Sequence, residues 1–209
     1  MVAPGPNDLF LCEDGYQRIY GERTVLSRFG IETRGRSRRL TLNYRTSRQN
    51  LAFALGVIGD QKVVDLDGEE DTVAGYHSAF IGLAPVAKGF PGVAEEMRFL
   101  VETVRGWLAQ GVAASAIAVL ARRNAEQDRA RLVLQDGGVA VELLQKEGAG
   151  NAAAVKIASM HRAKGTEFSR VVVIGAEAGV LPDAAKGCGW SAPRARSSPL
   201  IRPPGRGVG

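Results

Sequence analysis

Cysteine is scarce in this chain. Cys12 and Cys188 are the only two and lie in unrelated contexts, so neither a disulfide nor a thiolate metal site is expected. The two histidines, His77 and His161, have no ligand-spaced partners, so no metal ligand is assigned. No apolar run approaches the ~20 residues that span a membrane, so no membrane partner is expected. The opening residues, Met1 to Asp8, lack a basic stretch followed by an apolar core, so no signal peptide is expected and a reducing cytoplasm fits. A P-loop is missing too: no Gly-x-x-x-x-Gly-Lys-[Ser/Thr] occurs. A self-sufficient phosphate-using enzyme therefore has no supporting catalytic set.

What is present suits one α/β domain, with a little left over, in 209 residues. The net charge of +5 is not spread evenly. Residues 184–209 hold five cations (Lys186, Arg194, Arg196, Arg202, Arg206) and no acid, while the remainder has 22 of each sign. The charge excess thus belongs to the tail, and the isoelectric point says nothing about DNA binding by the folded part. Within that part Arg34, Arg36, Arg38, Arg39, Arg45 and Arg48 cluster, and residues 60–71 are acidic. Phosphates are repelled by such an acidic face. The Pro-, Arg- and Ser-rich tail shows no periodicity and reads as disordered.

Apolar patterning supplies the expected elements. Residues 92–110 carry Val93, Met97, Leu100, Val101, Val104, Trp107 and Leu108 on one helical stripe, with Glu95 and Glu96 at the positive end of the helix dipole. Trp107 on that stripe reads as core. Buried strands are expected at 9–12, 40–42, 117–120, 139–143, 155–158 and 171–174. Ser47 is placed to cap a helix running to Ile58, and Asn124 one running to Leu134. A small strand is expected around Val63 to Leu66, and residues 76–91 read as a surface excursion, a hairpin among the options. Strand–helix alternation predicts a parallel sheet covered by helices on both faces.

The polar segment Met160-His161-Arg162-Ala163-Lys164-Gly165-Thr166-Glu167-Phe168 sits between two such strands, at the sheet edge where ligands bind in open α/β folds. On composition alone it reads as a solvated loop. Its order says more. With the apolar run Val171 to Ile174 and then Gly179-Val180-Leu181-Pro182, it closely resembles motif V of UvrD/Rep-type superfamily 1 DNA helicases. Thr166 stands where that family usually has Leu. Leu40-Thr41-Leu42-Asn43-Tyr44-Arg45-Thr46-Ser47 resembles motif IV. Gln17-Arg18-Ile19-Tyr20-Gly21-Glu22-Arg23 resembles motif III, with Glu22 replacing a common Trp. That change removes one base-stacking platform, a contact contributing ~1–3 kcal/mol.

The resemblance covers residues 9 to 182 and implies a RecA-like sheet of the P-loop NTPase type, lacking the P-loop half. It divides the chain into a remnant of the first motor domain (1–30), a RecA-like 2A domain (31–183) and the basic tail (184–209). Only ten residues separate Leu144 from Val155, where larger members carry a 2B insertion. The implied roles follow residue by residue. Gln17 senses the γ-phosphate. Arg45 acts as an arginine finger. Glu167 accepts from the ribose, and Gly165 lets backbone approach the nucleotide. Tyr20, Arg23 and His161 lie on the path to single-stranded DNA. Lys164 either contacts DNA phosphate or orients the loop. ATP and Mg²⁺ are implied for the intact family enzyme, with neither held by this chain alone, because an acidic box and an Arg-rich motif VI are also missing. Two functions remain. One is the C-terminal part of an ATP-dependent DNA translocase that needs a P-loop motor domain, and an upstream frame bearing a P-loop favours it. The other is a non-catalytic 2A-fold module binding DNA or protein. On the translocase reading Arg45 and Glu167 are expected at the same sheet edge, and Phe10 and Leu11 are expected to be exposed where the first motor domain is missing; a well-packed central strand at 9–12 argues for a self-contained domain instead.

Overall fold

Three of the apolar runs, too short for helices and rich in β-branched residues, line up as neighbours in one parallel sheet. The structure is a computed structural model and describes residues 10–14, 25–33, 35–58, 63–72, 74–144 and 150–177. Four strands form the main sheet: β5 (Ile117–Ala121), β6 (Val141–Leu143), β7 (Val155–Ser159) and β8 (Arg170–Val173), in the order β6-β7-β5-β8. Every pairing is parallel, with Val119 opposite both Ile157 and Val172. The central strands β5 and β7 are buried almost throughout, as expected of strands covered on both faces.

Two helices pack on one face of this sheet. Helix α2 (Val93–Ala109) buries Met97, Leu100 and Val104, with Trp107 packed at the core margin. Helix α3 (Asn124–Asp136) buries Ala130 and Leu134. The start of α3 differs from expectation. Asn124 is its first helical residue, and the Glu126 carboxylate reaches back to accept from the Arg123 N–H at 3.2 Å. A carboxylate there satisfies an otherwise free donor and sits well in the helix dipole.

The other face is covered differently from the expected second layer of helices. Among the described residues, the buried α-helical members of the core cluster come from α2 and α3. On the opposite face Lys156, 7% exposed, extends its ammonium to the Glu142 carboxylate and the Asn151 carbonyl, each at 2.6 Å. Val171 and Val173 on that face of β8 are each 45% exposed.

The N-terminal elements are smaller. Strand β1 (Leu42–Asn43) pairs in parallel with β4 (His77–Ser78), apart from the main sheet, and helix α1 (Arg48–Ile58) packs against β4. The strand expected near Leu40 was to belong to the main sheet. Instead it is two residues long, and Leu40 is 81% exposed. The chain leading into it is held elsewhere. Arg39 pairs with Asp71 at 2.9 Å, and the Thr33 and Ser37 hydroxyls both donate to Asp67. The small strand in the acidic segment is present as β2 (Val63–Val64), paired antiparallel with β3 (Glu70–Asp71). The hairpin therefore lies there, not at 76–91. Over residues 10–12 no strand forms; Phe10 is 91% and Leu11 48% exposed, and Glu13 instead accepts from the Leu66 N–H at 2.5 Å. Residue 30, the expected domain boundary, falls in a tight turn following the 3₁₀ segment Leu26–Phe29, whose Leu26 N–H donates to Leu66. No described helix is long and apolar enough to cross a membrane.

Candidate functional site

The motif V segment leaves β7 through a cap. Ser159 accepts from the Arg162 N–H at 3.2 Å and starts a single helical turn, α4 (Met160–Ala163). The turn places His161 and Arg162 on the surface at the carboxyl end of β7. Thr166 closes it: its N–H and its hydroxyl both donate to the Ala163 carbonyl, at 3.0 and 2.6 Å. Thr at this position thus adds a local bond that an apolar residue lacks. Gly165 has φ of +85°, a conformation L-residues rarely adopt, and a Cβ there meets nothing within 4 Å. The backbone at Gly165 is both shaped by glycine and open to approach.

Arg45 is positioned by a residue that the reading of the sequence did not single out. The Asn43 side-chain oxygen accepts from the N–H groups of Arg45 and Thr46, each at 2.8 Å. This Asx turn carries the chain from β1 into α1. The signal was available as an Asn two residues before the Arg. The turn is buttressed from β4, where the buried Ser78 hydroxyl bonds to the Thr46 carbonyl. Ser47, as expected, caps α1 and accepts from the Asn50 N–H at 3.3 Å. Gln49 fixes the chain after β4 by accepting from the Gly82 N–H at 2.8 Å.

The two turns meet. The Arg45 guanidinium lies 2.5 Å from a Glu167 carboxylate oxygen. Their side chains are 68% and 71% exposed, so the pair is solvated. Exposed pairs contribute only ~0–1 kcal/mol and weaken with salt. What the contact does establish is proximity between segments far apart in sequence. The surrounding basic cluster is partly neutralised: Arg39 and Arg45 are both ion-paired, and the acidic hairpin bonds to Thr33, Ser37 and Arg39.

Chemically the pair offers a cation and a carboxylate on open surface, with a glycine turn beside the carboxylate. Lys164 and His161 lie on the same exposed segment as Glu167. Gln17, Tyr20 and Arg23 lie outside the described residues, as do the Gly179–Pro182 turn and the tail. The Lys156–Glu142 pair also went unnoticed in the sequence, because neither residue belongs to a motif and only the strand register brings them together. No known protein family, curated protein or solved structure was found to match the chain.

Proposed function

We propose that this chain is the arginine-finger half of a UvrD/Rep-like, ATP-dependent DNA translocase, with a RecA-like main sheet. One observation carries the reading. The arginine and the glutamate that the motif resemblance assigns to one nucleotide lie side by side, although they come from segments far apart in sequence. On this reading Arg45 stabilises charge developing on the γ-phosphate and Glu167 accepts from the ribose. His161 and Lys164 face single-stranded DNA, and Gln17, Tyr20 and Arg23 link the two sites. The residues of this chain do not fit Mg²⁺ and the β-phosphate on their own: it has no P-loop and no acidic box. Those groups belong to a partner motor domain. An arginine finger acts on nucleotide already held in line, and it does not replace the cradle.

The test is steady-state phosphate release. The purified chain, with or without single-stranded DNA, is expected to show none. Mixed with a P-loop motor domain of a UvrD-like helicase, it is expected to restore DNA-stimulated turnover. Arg45→Ala then lowers turnover by ~10³-fold or more, the range for arginine fingers, while Glu167→Ala mainly weakens nucleotide binding. Turnover by the isolated chain that is indifferent to Arg45→Ala sinks the reading.

A further inference from the structure

We infer that the groove between α2 and α3 is a docking surface for a short acidic, amphipathic helix of a partner protein. The groove, of about 460 Å³, lies between α2 and α3. Its floor is apolar: Val93, Met97 and Val101 from α2, and Val133 from α3. Val93 is 40% exposed. Arg98 and Arg129 flank this floor, one from each helix, and no carboxylate lines it. Both arginines are exposed, and neither makes an ion pair among the described residues. An apolar strip between two uncompensated cations is complementary to apolar anchors flanked by acids.

The spacing selects a helix as the occupant. Val93, Met97 and Val101 form an i, i+4, i+8 ridge, and Arg129 and Val133 form the facing i, i+4 ridge. A third helix packs its own ridge between two such rows. The three α2 positions span ~12 Å at 1.5 Å per residue, about two helical turns. Just past the end of α3, a Cβ at Gly137 would come within 2.8 Å of Val101 Cγ1, so the chain there packs closely against α2. The chain's own C-terminal residues are the wrong occupant on charge, since 184–209 hold five cations and no acid.

The test uses the full chain and two fluorescein-labelled twelve-residue helical peptides. Both carry Leu at i and i+4; one flanks them with Glu, the other with Lys. Anisotropy titration is expected to show binding of the Glu peptide at least tenfold tighter than the Lys peptide. The double variant Arg98→Glu, Arg129→Glu is expected to reverse that preference. A reversed preference also shows that the variant is folded. Should it fail to fold, Arg98→Ala with Arg129→Ala is expected to lower Glu-peptide affinity at least fivefold. The idea is overturned if the Glu peptide binds both variants as well as the parent, which places it on the basic tail. It is equally overturned if neither peptide binds, or if the chain self-associates through this groove and excludes both.

Discussion

Glu142 and Lys156 show how strand register creates chemistry that residue order hides. Adjacent on β6 and β7, they bond at 2.6 Å on the face away from the core, and the Asn151 N–H adds a second bond to the carboxylate at 2.8 Å. The Lys156 hydrogen bond, and then that of Asn151, hold the Glu142 carboxyl below its ordinary range. A carboxyl depressed on folding contributes stability above its unfolded pKa, ~4.3, and loses it as pH falls through the lower folded value. The thermal midpoint of the parent is therefore expected to drop more steeply below pH ~4.3 than that of Glu142→Gln. Melting curves at several pH values from neutral to acidic check this; parallel slopes for the two proteins refute it. At the site itself, Arg45 and Glu167 were legible because each lies in an ordered run of distinctive residues. Asn43, which aims Arg45, was not singled out, because its work is done by a side chain folding back onto its own backbone.

Helix α2 is the element on which the main core depends. Leu100, 1% exposed, sits in the core cluster with Ile117, Val119 and Ile157. Leu100→Ala removes a buried isobutyl group and leaves a space its neighbours fill only in part, at a cost of ~2–5 kcal/mol. Urea unfolding is expected to show a lowered midpoint with little change in slope. An unchanged midpoint would mean that α2 is not part of the cooperative unit. This helix, with β5 and β7, was readable from sequence: its apolar stripe from Val93 to Leu108 covers more than four turns, β5 is an uninterrupted apolar run, and β7 alternates apolar residues with Lys156. Strand β1 was misplaced for the opposite reason. A two-residue strand has almost no period, and its position is decided by ion pairs and hydroxyl bonds to Asp67 and Asp71, which a pattern of apolar residues does not contain. The β2–β3 hairpin was half-read, its strand recognised and its partner not.

Across the whole molecule, burial is lopsided. Every buried apolar residue of the described chain lies at Met97 or later, whereas before it only Ser47 and Ser78 are buried. Hydrogen exchange is expected to follow this division: amides of β5, β7 and the middle of α2 protected to near the global stability, amides of α1, β1 and β4 exchanging through local opening. Equal protection of α1 and α2 would contradict the division. The Arg45–Glu167 contact crosses it, with the arginine on the lightly packed side and the glutamate on the segment that follows a core strand. A ligand gripping both residues would then do more than occupy a cleft. It would recruit the weak half into the cooperativity of the strong one, so that a chain melting in two stages melts in one, and binding becomes visible as a change in how many parts the protein has.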